Sequence, residues 1–100
     1  MESNNKAQSI EQLCKLFASI DDPKQIQALI EDLCTRGEIE QMAQRVECAR
    51  LLLEGKTYCQ IIAETEVSSA TLSRVSRCTQ RGSGGYSRIL AQFFGIETYI

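Results

Sequence analysis

The sequence has no histidine, no tryptophan and a single proline. Without histidine it lacks the commonest general base and the usual partner of a nucleophilic cysteine or serine. Its five cysteines, Cys14, Cys34, Cys48, Cys59 and Cys78, never fall closer than eleven residues apart, so no C-x-x-C pair occurs. The usual zinc spacings are therefore missing. Neither a metal site nor an enzymatic activity is expected. An odd number of scattered cysteines suits a reducing compartment, where each is expected to act as a small buried hydrophobe. No apolar run approaches the ~18 residues of a membrane span, and the polar start from Met1 to Ser9 lacks the apolar stretch of a signal peptide. The expectation is a cytoplasmic chain with no membrane partner. Glycine and proline together number seven in 100 residues, which excludes collagen-like and broadly disordered classes.

What is present is unevenly charged. Residues 1–54 carry six Lys/Arg and ten Asp/Glu, whereas residues 55–100 carry five and three. From Ser68 to Arg88 there are four arginines and no acid. Such a basic stripe is the electrostatic footprint of a phosphate-binding surface, whatever the net charge. The same arginines could equally solvate one helix face. Paired acids such as Asp21-Asp22 and Glu31-Asp32 read as helix-start and solvent-face charges.

Alternating strand patterns are nearly absent, and helix signals recur instead. Ser9-Ile-Glu-Gln12 has the form of a capping box, followed by Ile10, Leu13, Cys14 and Phe17 on one face, and predicts a first helix ending near Ile20. Asp22-Pro23 opens a second helix with buried stripe Ile26, Leu29, Ile30 and Leu33. Thr35-Arg-Gly-Glu38 is another box, opening a third helix to about Glu54. Its apolar arc (Ile39, Met42, Ala43, Val46, Ala49 and Leu53, widened by Cys48, Leu51 and Leu52) is broader than a one-sided helix needs. Either this is the central helix or it meets a second subunit. Gly55 stands where a left-handed C-cap would close it.

Thr57-Tyr-Cys-Gln60 opens a short helix to Thr65, and Ser68 caps another from Ser69 to about Thr79, with Ala70, Leu72 and Val75 turned inward. Gly82-Ser-Gly-Gly85 reads as a flexible joint before a last helix, Tyr86 to Phe94. The whole chain, 1–100, is taken as one all-α domain: helices of 9–54, a reading head of 55–80, and the joint and last helix of 81–100.

Two short helices joined by a tight turn have the dimensions of a helix-turn-helix, whose second helix enters the DNA major groove. Ser68, Ser69, Ala70, Thr71 and Ser73 are small enough for close approach and carry hydroxyls and methyls suited to base edges. Arg74 and Arg77 follow, suited to guanine or phosphate. Lys56, Thr57, Tyr58 and Gln60 stand at the start of the first helix, and with Arg77 and Arg81 they are assigned to phosphates.

The string Thr57-Tyr-x-x-Ile61-Ile-x-x-Thr-x-Val67-Ser-x-Ala-Thr71-Leu-Ser-Arg74-Val resembles the motif of bacterial helix-turn-helix regulators. Glu66 departs from it, standing where a turn glycine is usual. If φ is positive there, glutamate costs of order 1 kcal/mol. With Asp32-Leu-Cys-Thr-x-x-Glu38-Ile and Ala43-Gln-Arg-Val46-Glu-x-Ala-Arg50-x-Leu-x-x-Gly55, the likeness spans Leu13 to Gln80. Over that range the chain resembles the Trp repressor-like superfamily, in particular its YerC/YecD-type branch.

The resemblance implies an intertwined homodimer with one reading head per subunit, acting on a near-palindromic double-stranded DNA site as a bacterial-type transcriptional repressor. It also matches Arg45 and Arg74 to the two arginines that hold the repressor's amino-acid co-repressor. Alternatively, Arg45 bonds a helix C-terminus or a glutamate and Arg74 serves DNA phosphate. Val75 stands where tryptophan-responsive members have glycine, so tryptophan control does not follow. The rival class is a helical protein-interaction adaptor with no DNA target, which the acidic N-terminal half favours.

Overall fold

The computed structural model of the protein describes residues 2–97, with side chains from residue 5 onward, and all its regular elements are helical. The last three residues of the segment read above as joint and final helix lie outside the described residues. Two compact units divide the chain, Met1–Ile39 and Glu40–Ile100.

The first unit contains α1 (Glu2–Ala18) and α2 (Pro23–Leu33). The structure corrects the start of α1. The Ser9–Gln12 box lies inside the helix, which begins seven residues earlier. A capping box acts only where the capping residue leaves helical geometry, and no glycine or proline among residues 2–8 breaks the helix there. Asp22 does cap α2. Its backbone is extended (φ −107°, ψ 120°), its carboxylate accepts from the Lys24 N–H, and Pro23 fills the first helical position. The stripe of α2 is covered only in part: Ile26, Leu29 and Ile30 are half-buried and Leu33 is exposed.

The boundary between units falls within α3 (Arg36–Leu53). Its entry is a complete capping box. The Glu38 carboxylate accepts from the Thr35 N–H at 2.8 Å while the Thr35 hydroxyl accepts from the Glu38 N–H at 3.1 Å. Both bonds favour the ionised carboxyl, which is held below the usual carboxylate range. At the other end Gly55, at φ +90°, donates to Leu52 O, and Lys56 donates to Leu51 O, each at 3.0 Å. This pair of bonds is a Schellman closure, as the sequence predicts.

The second unit adds α4 (Tyr58–Thr65), α5 (Ser69–Arg81), a π-helical stretch (Gly85–Leu90) and α6 (Ala91–Phe94). Cys48, Ala49 and Leu51 of α3 close on Ile61, Val67, Leu72 and Val75 to form the core, with Leu52, Tyr86 and Leu90 packed against it. Burial of each large aliphatic member contributes roughly 1.5–3 kcal/mol. Ala43 and Val46, on the other part of the α3 arc, are exposed.

At the C-terminal end of α3, Arg50 is forked onto Glu47 and donates to Glu54 at 2.7 Å. The ring of Phe94 lies 5.7 Å from its guanidinium carbon. The hydrogen bonds it donates to Glu47 and Glu54 raise its pKa and hold it charged.

Three expectations are corrected. Cys14, Cys59 and Cys78 are exposed, so only Cys48 is a fully buried thiol among the five. Ala70 points away from the core rather than into it. The final segment is not one α-helix, because residues 85–90 take the wider π geometry before α6.

Candidate nucleic-acid interface

The reading head is built by two caps and a turn. At the start of α4 the Gln60 side chain accepts from the Thr57 N–H at 2.9 Å, and the Thr57 hydroxyl accepts from the Gln60 N–H at 3.2 Å. At the start of α5 the Ser68 hydroxyl accepts from the Thr71 N–H at 3.2 Å and donates to the Thr71 hydroxyl at 2.9 Å. The residues assigned to DNA thus include the groups that fix the two helix starts.

Between the helices, Glu66 is left-handed (φ 59°, ψ 20°) and its N–H closes α4 on Ile62 O at 2.9 Å. The position that the regulator motif gives to glycine therefore does require positive φ, and glutamate occupies it under strain of ~1–2 kcal/mol. Thr65 steadies the turn. Its hydroxyl donates to Ile61 O at 2.7 Å and accepts from the Val67 N–H at 3.2 Å. Its carbonyl accepts from the Gln44 side chain of α3 at 3.4 Å. The Cys48 thiol lies 4.0 Å from the same hydroxyl. Burial pushes that thiol's pKa up, partly countered by Thr65, and Cys48 packs in the core.

At 3.6 residues per turn, Ser69, Ala70, Ser73, Arg74, Arg77 and Arg81 fall on one arc of α5, and all are exposed. Leu72, Val75 and Ser76 occupy the opposite arc and are buried. Thr71 sits at the edge, half-buried. Lys56, Thr57, Tyr58, Gln60 and Ser68 are exposed as well. The N-terminal part of the exposed arc is small and hydroxylated, and the C-terminal part is cationic. Arg74, Arg77 and Arg81 line a depression of about 570 Å³ to which no acidic residue contributes.

Arg45 and Arg74 border one space. With Gln41, Gln44 and Thr71 they line a cleft of about 260 Å³ between α3 and α5. Neither arginine has an ion-pair partner among the described residues, so the glutamate partner considered for Arg45 is not found. Two unpaired guanidinium groups flanked by two amides can accept a planar carboxylate or a phosphate oxygen.

Gln41, Gln44 and Thr65 were not read as site residues from the sequence. The one local signal available was the i,i+4 spacing of Gln41 and Arg45, which puts those two on one face of α3. Among the described residues no group of three His, Cys, Asp or Glu could hold a metal ion. No helix there is long and apolar enough to cross a membrane.

Comparison with known proteins places this geometry. Residues 8–93 match the family described as Trp repressor protein. The uncharacterized protein YerC of Bacillus subtilis (strain 168) is 40% identical over 93 residues, covering 93% of this chain and 89% of that one. The structure of a TrpR-like protein from Eubacterium eligens superposes with a TM-score of 0.83 at 37% identity, covering 91% of this chain and 94% of that one. A crystal structure of a candidate Trp repressor from Staphylococcus aureus gives a TM-score of 0.82 at 31% identity, covering 91% and 90%. The resemblance first seen in the motif of residues 57–75 thus extends over most of the chain, and the protein belongs to the Trp repressor family.

Proposed function

We propose that the protein is a homodimeric, sequence-specific DNA-binding regulator of transcription, acting as a repressor. The observation that carries this reading is the exposed arc of α5, with small hydroxylated residues leading into three arginines and the buried arc opposite. Ser69, Ala70, Thr71 and Ser73 read base edges. Arg74 and Arg77, with Lys56, Tyr58 and Gln60, fix register on phosphate. Family membership and the likeness to TrpR-like structures support the same assignment. Two heads in a dimer would engage half-sites about one DNA turn apart, ~34 Å, on a near-palindromic duplex.

The cleft lined by Arg45 and Arg74 is assigned to a small amino-acid-like carboxylate acting as co-repressor. Arg74 belongs to both surfaces, so ligand and DNA share one side chain.

Salt-titrated binding to a random-duplex library, with sequencing of the retained DNA, tests the proposal. Enrichment of one two-fold symmetric site is the expected result. In that assay Arg74→Ala and Arg77→Ala each weaken binding and flatten the log–log salt slope, by about 1 for Arg77. No retention at ~50 mM salt would overturn the DNA assignment and leave the helical adaptor in its place.

A further inference from the structure

Three residues, Glu66, Val67 and Ser68, join α4 to α5, so the direction in which α5 leaves the head is decided there. Glu66 does not choose that direction. Its left-handed backbone is one that glutamate resists and glycine would take freely. Strain of this kind persists only where the surrounding structure imposes it, so a neighbour must hold the turn.

That neighbour is Thr65. Its hydroxyl reaches to both sides of Glu66, donating to Ile61 O at 2.7 Å within α4 and accepting from the Val67 N–H at 3.2 Å beyond the turn. Val67 is 3% exposed and belongs to the core, so its N–H would find little water if that hydroxyl were removed. The Thr65 carbonyl is among the last four of α4, which a helix leaves without partners of its own. Gln44 of α3 donates to it at 3.4 Å. The wholly buried Cys48 thiol, one turn further along α3, stands 4.0 Å from the Thr65 hydroxyl. One residue thus ties the turn to α4, to the entry of α5 and to α3. All of these contacts lie within one chain, so they do not depend on what a second copy covers.

We infer that Thr65 is the positioning residue of the reading head. It holds Glu66 in the left-handed turn, sets the direction of α5 against α3, and thereby sets sequence selectivity. The inference rests on the DNA-binding reading, in which base edges and phosphates tolerate misalignment differently. Hydrogen bonds to base edges weaken steeply as their angles degrade. Long arginine side chains still find phosphates, through an attraction that carries no sequence information. A loosened turn therefore costs selectivity before it costs affinity.

Thr65→Val keeps the branched shape and removes the hydroxyl, whereas Thr65→Ser keeps the hydroxyl. Each full-length variant is titrated against the duplex that the unmodified protein selects and against a scrambled duplex of equal length. Thr65→Val should bind the selected duplex about tenfold more weakly and the scrambled one within about twofold of the unmodified protein. Thr65→Ser should stay within about twofold on both. The decisive variant combines Thr65→Val with Glu66→Gly. Glycine takes the left-handed turn without help, so the pair should recover most of the tenfold loss.

A second arm needs no DNA. Amide hydrogen exchange at Val67 should be about tenfold faster in Thr65→Val and close to the unmodified rate in Thr65→Ser. Selection by Thr65→Val equal to that of the unmodified protein overturns the inference. So does an equal loss on both duplexes, or a loss that Glu66→Gly does not recover, because Thr65 would then serve stability alone. If Val67 exchange responds as expected while the unmodified protein retains no duplex, Thr65 still holds the turn and the DNA reading falls.

Discussion

The two units of this chain are equally helical and unequally buried. In the unit of residues 1–39 no described side chain is fully buried, and Ile10, Leu13, Leu16, Phe17 and Leu33 are 37–63% exposed. In the unit of residues 40–100, Cys48, Ile61 and Leu72 are wholly inaccessible and Val75 is 1% exposed. Both stretches have regular apolar spacing, and both have sound caps. The difference shows that caps and periodicity make helices, whereas a core is made only where several helices close on one another. The second unit closes a core of its own, although Ile89 and Phe93 stay 66% and 77% exposed. The first presents an apolar face whose covering a homodimer would supply.

That contrast can be broken most severely from inside the core. Leu72→Ala empties a fully buried position and should lower stability by ~2–5 kcal/mol, read as a large drop in the thermal midpoint. A loss below ~1 kcal/mol would mean that the second unit does not depend on this core. Next in size, Leu16→Asp places a charge on the exposed face of α1. If that face joins two copies, sedimentation should show the monomer mass, with the Arg77-dependent salt slope of the head retained per chain. An unchanged dimer would locate the interface elsewhere.

The smallest effect sharpens the comparison within the head itself. Glu66→Gly relieves ~1–2 kcal/mol of left-handed strain but returns ~0.4–1 kcal/mol of freedom to the unfolded chain, so denaturant melts should show a slight net gain. A net loss would show that the glutamate side chain itself holds the turn.

Much of this architecture could be read from residues alone, and the reasons are local. Asp22-Pro23, Thr35/Glu38, Thr57/Gln60 and Ser68 each make the bonds their types promise, because a cap is decided within four residues. Ser9/Gln12 failed because a cap also requires a break before it, and residues 2–8 supply none. Thiol burial was misjudged for Cys14, Cys59 and Cys78, since residue type says little about which face of a helix finds a neighbour.

The sharing of one cleft by Arg45 and Arg74 was legible only by family likeness. They lie 29 residues apart, and no local pattern joins them. Gln44 and Thr65 were illegible for the same reason, because their bond spans α3 and the end of α4. The π geometry of residues 85–90, a segment that lies against α5, likewise answers to no residue pattern read from the sequence.

Glu66 has one more consequence, which concerns direction. It is the last acid before a stretch from Val67 to Ile96 that contains Arg74, Arg77, Arg81 and Arg88 and no Asp or Glu. The carboxylate stands just ahead of the positive end of the α5 dipole, and Arg81 stands at its negative end. To a polyanion approaching from solution, α5 is a needle with a repelling tip and an attracting tail. In the proposed DNA-binding role, a duplex would be turned before it is touched, its phosphates drawn to the arginine end while the neutral, hydroxyl-bearing end is left to the base edges.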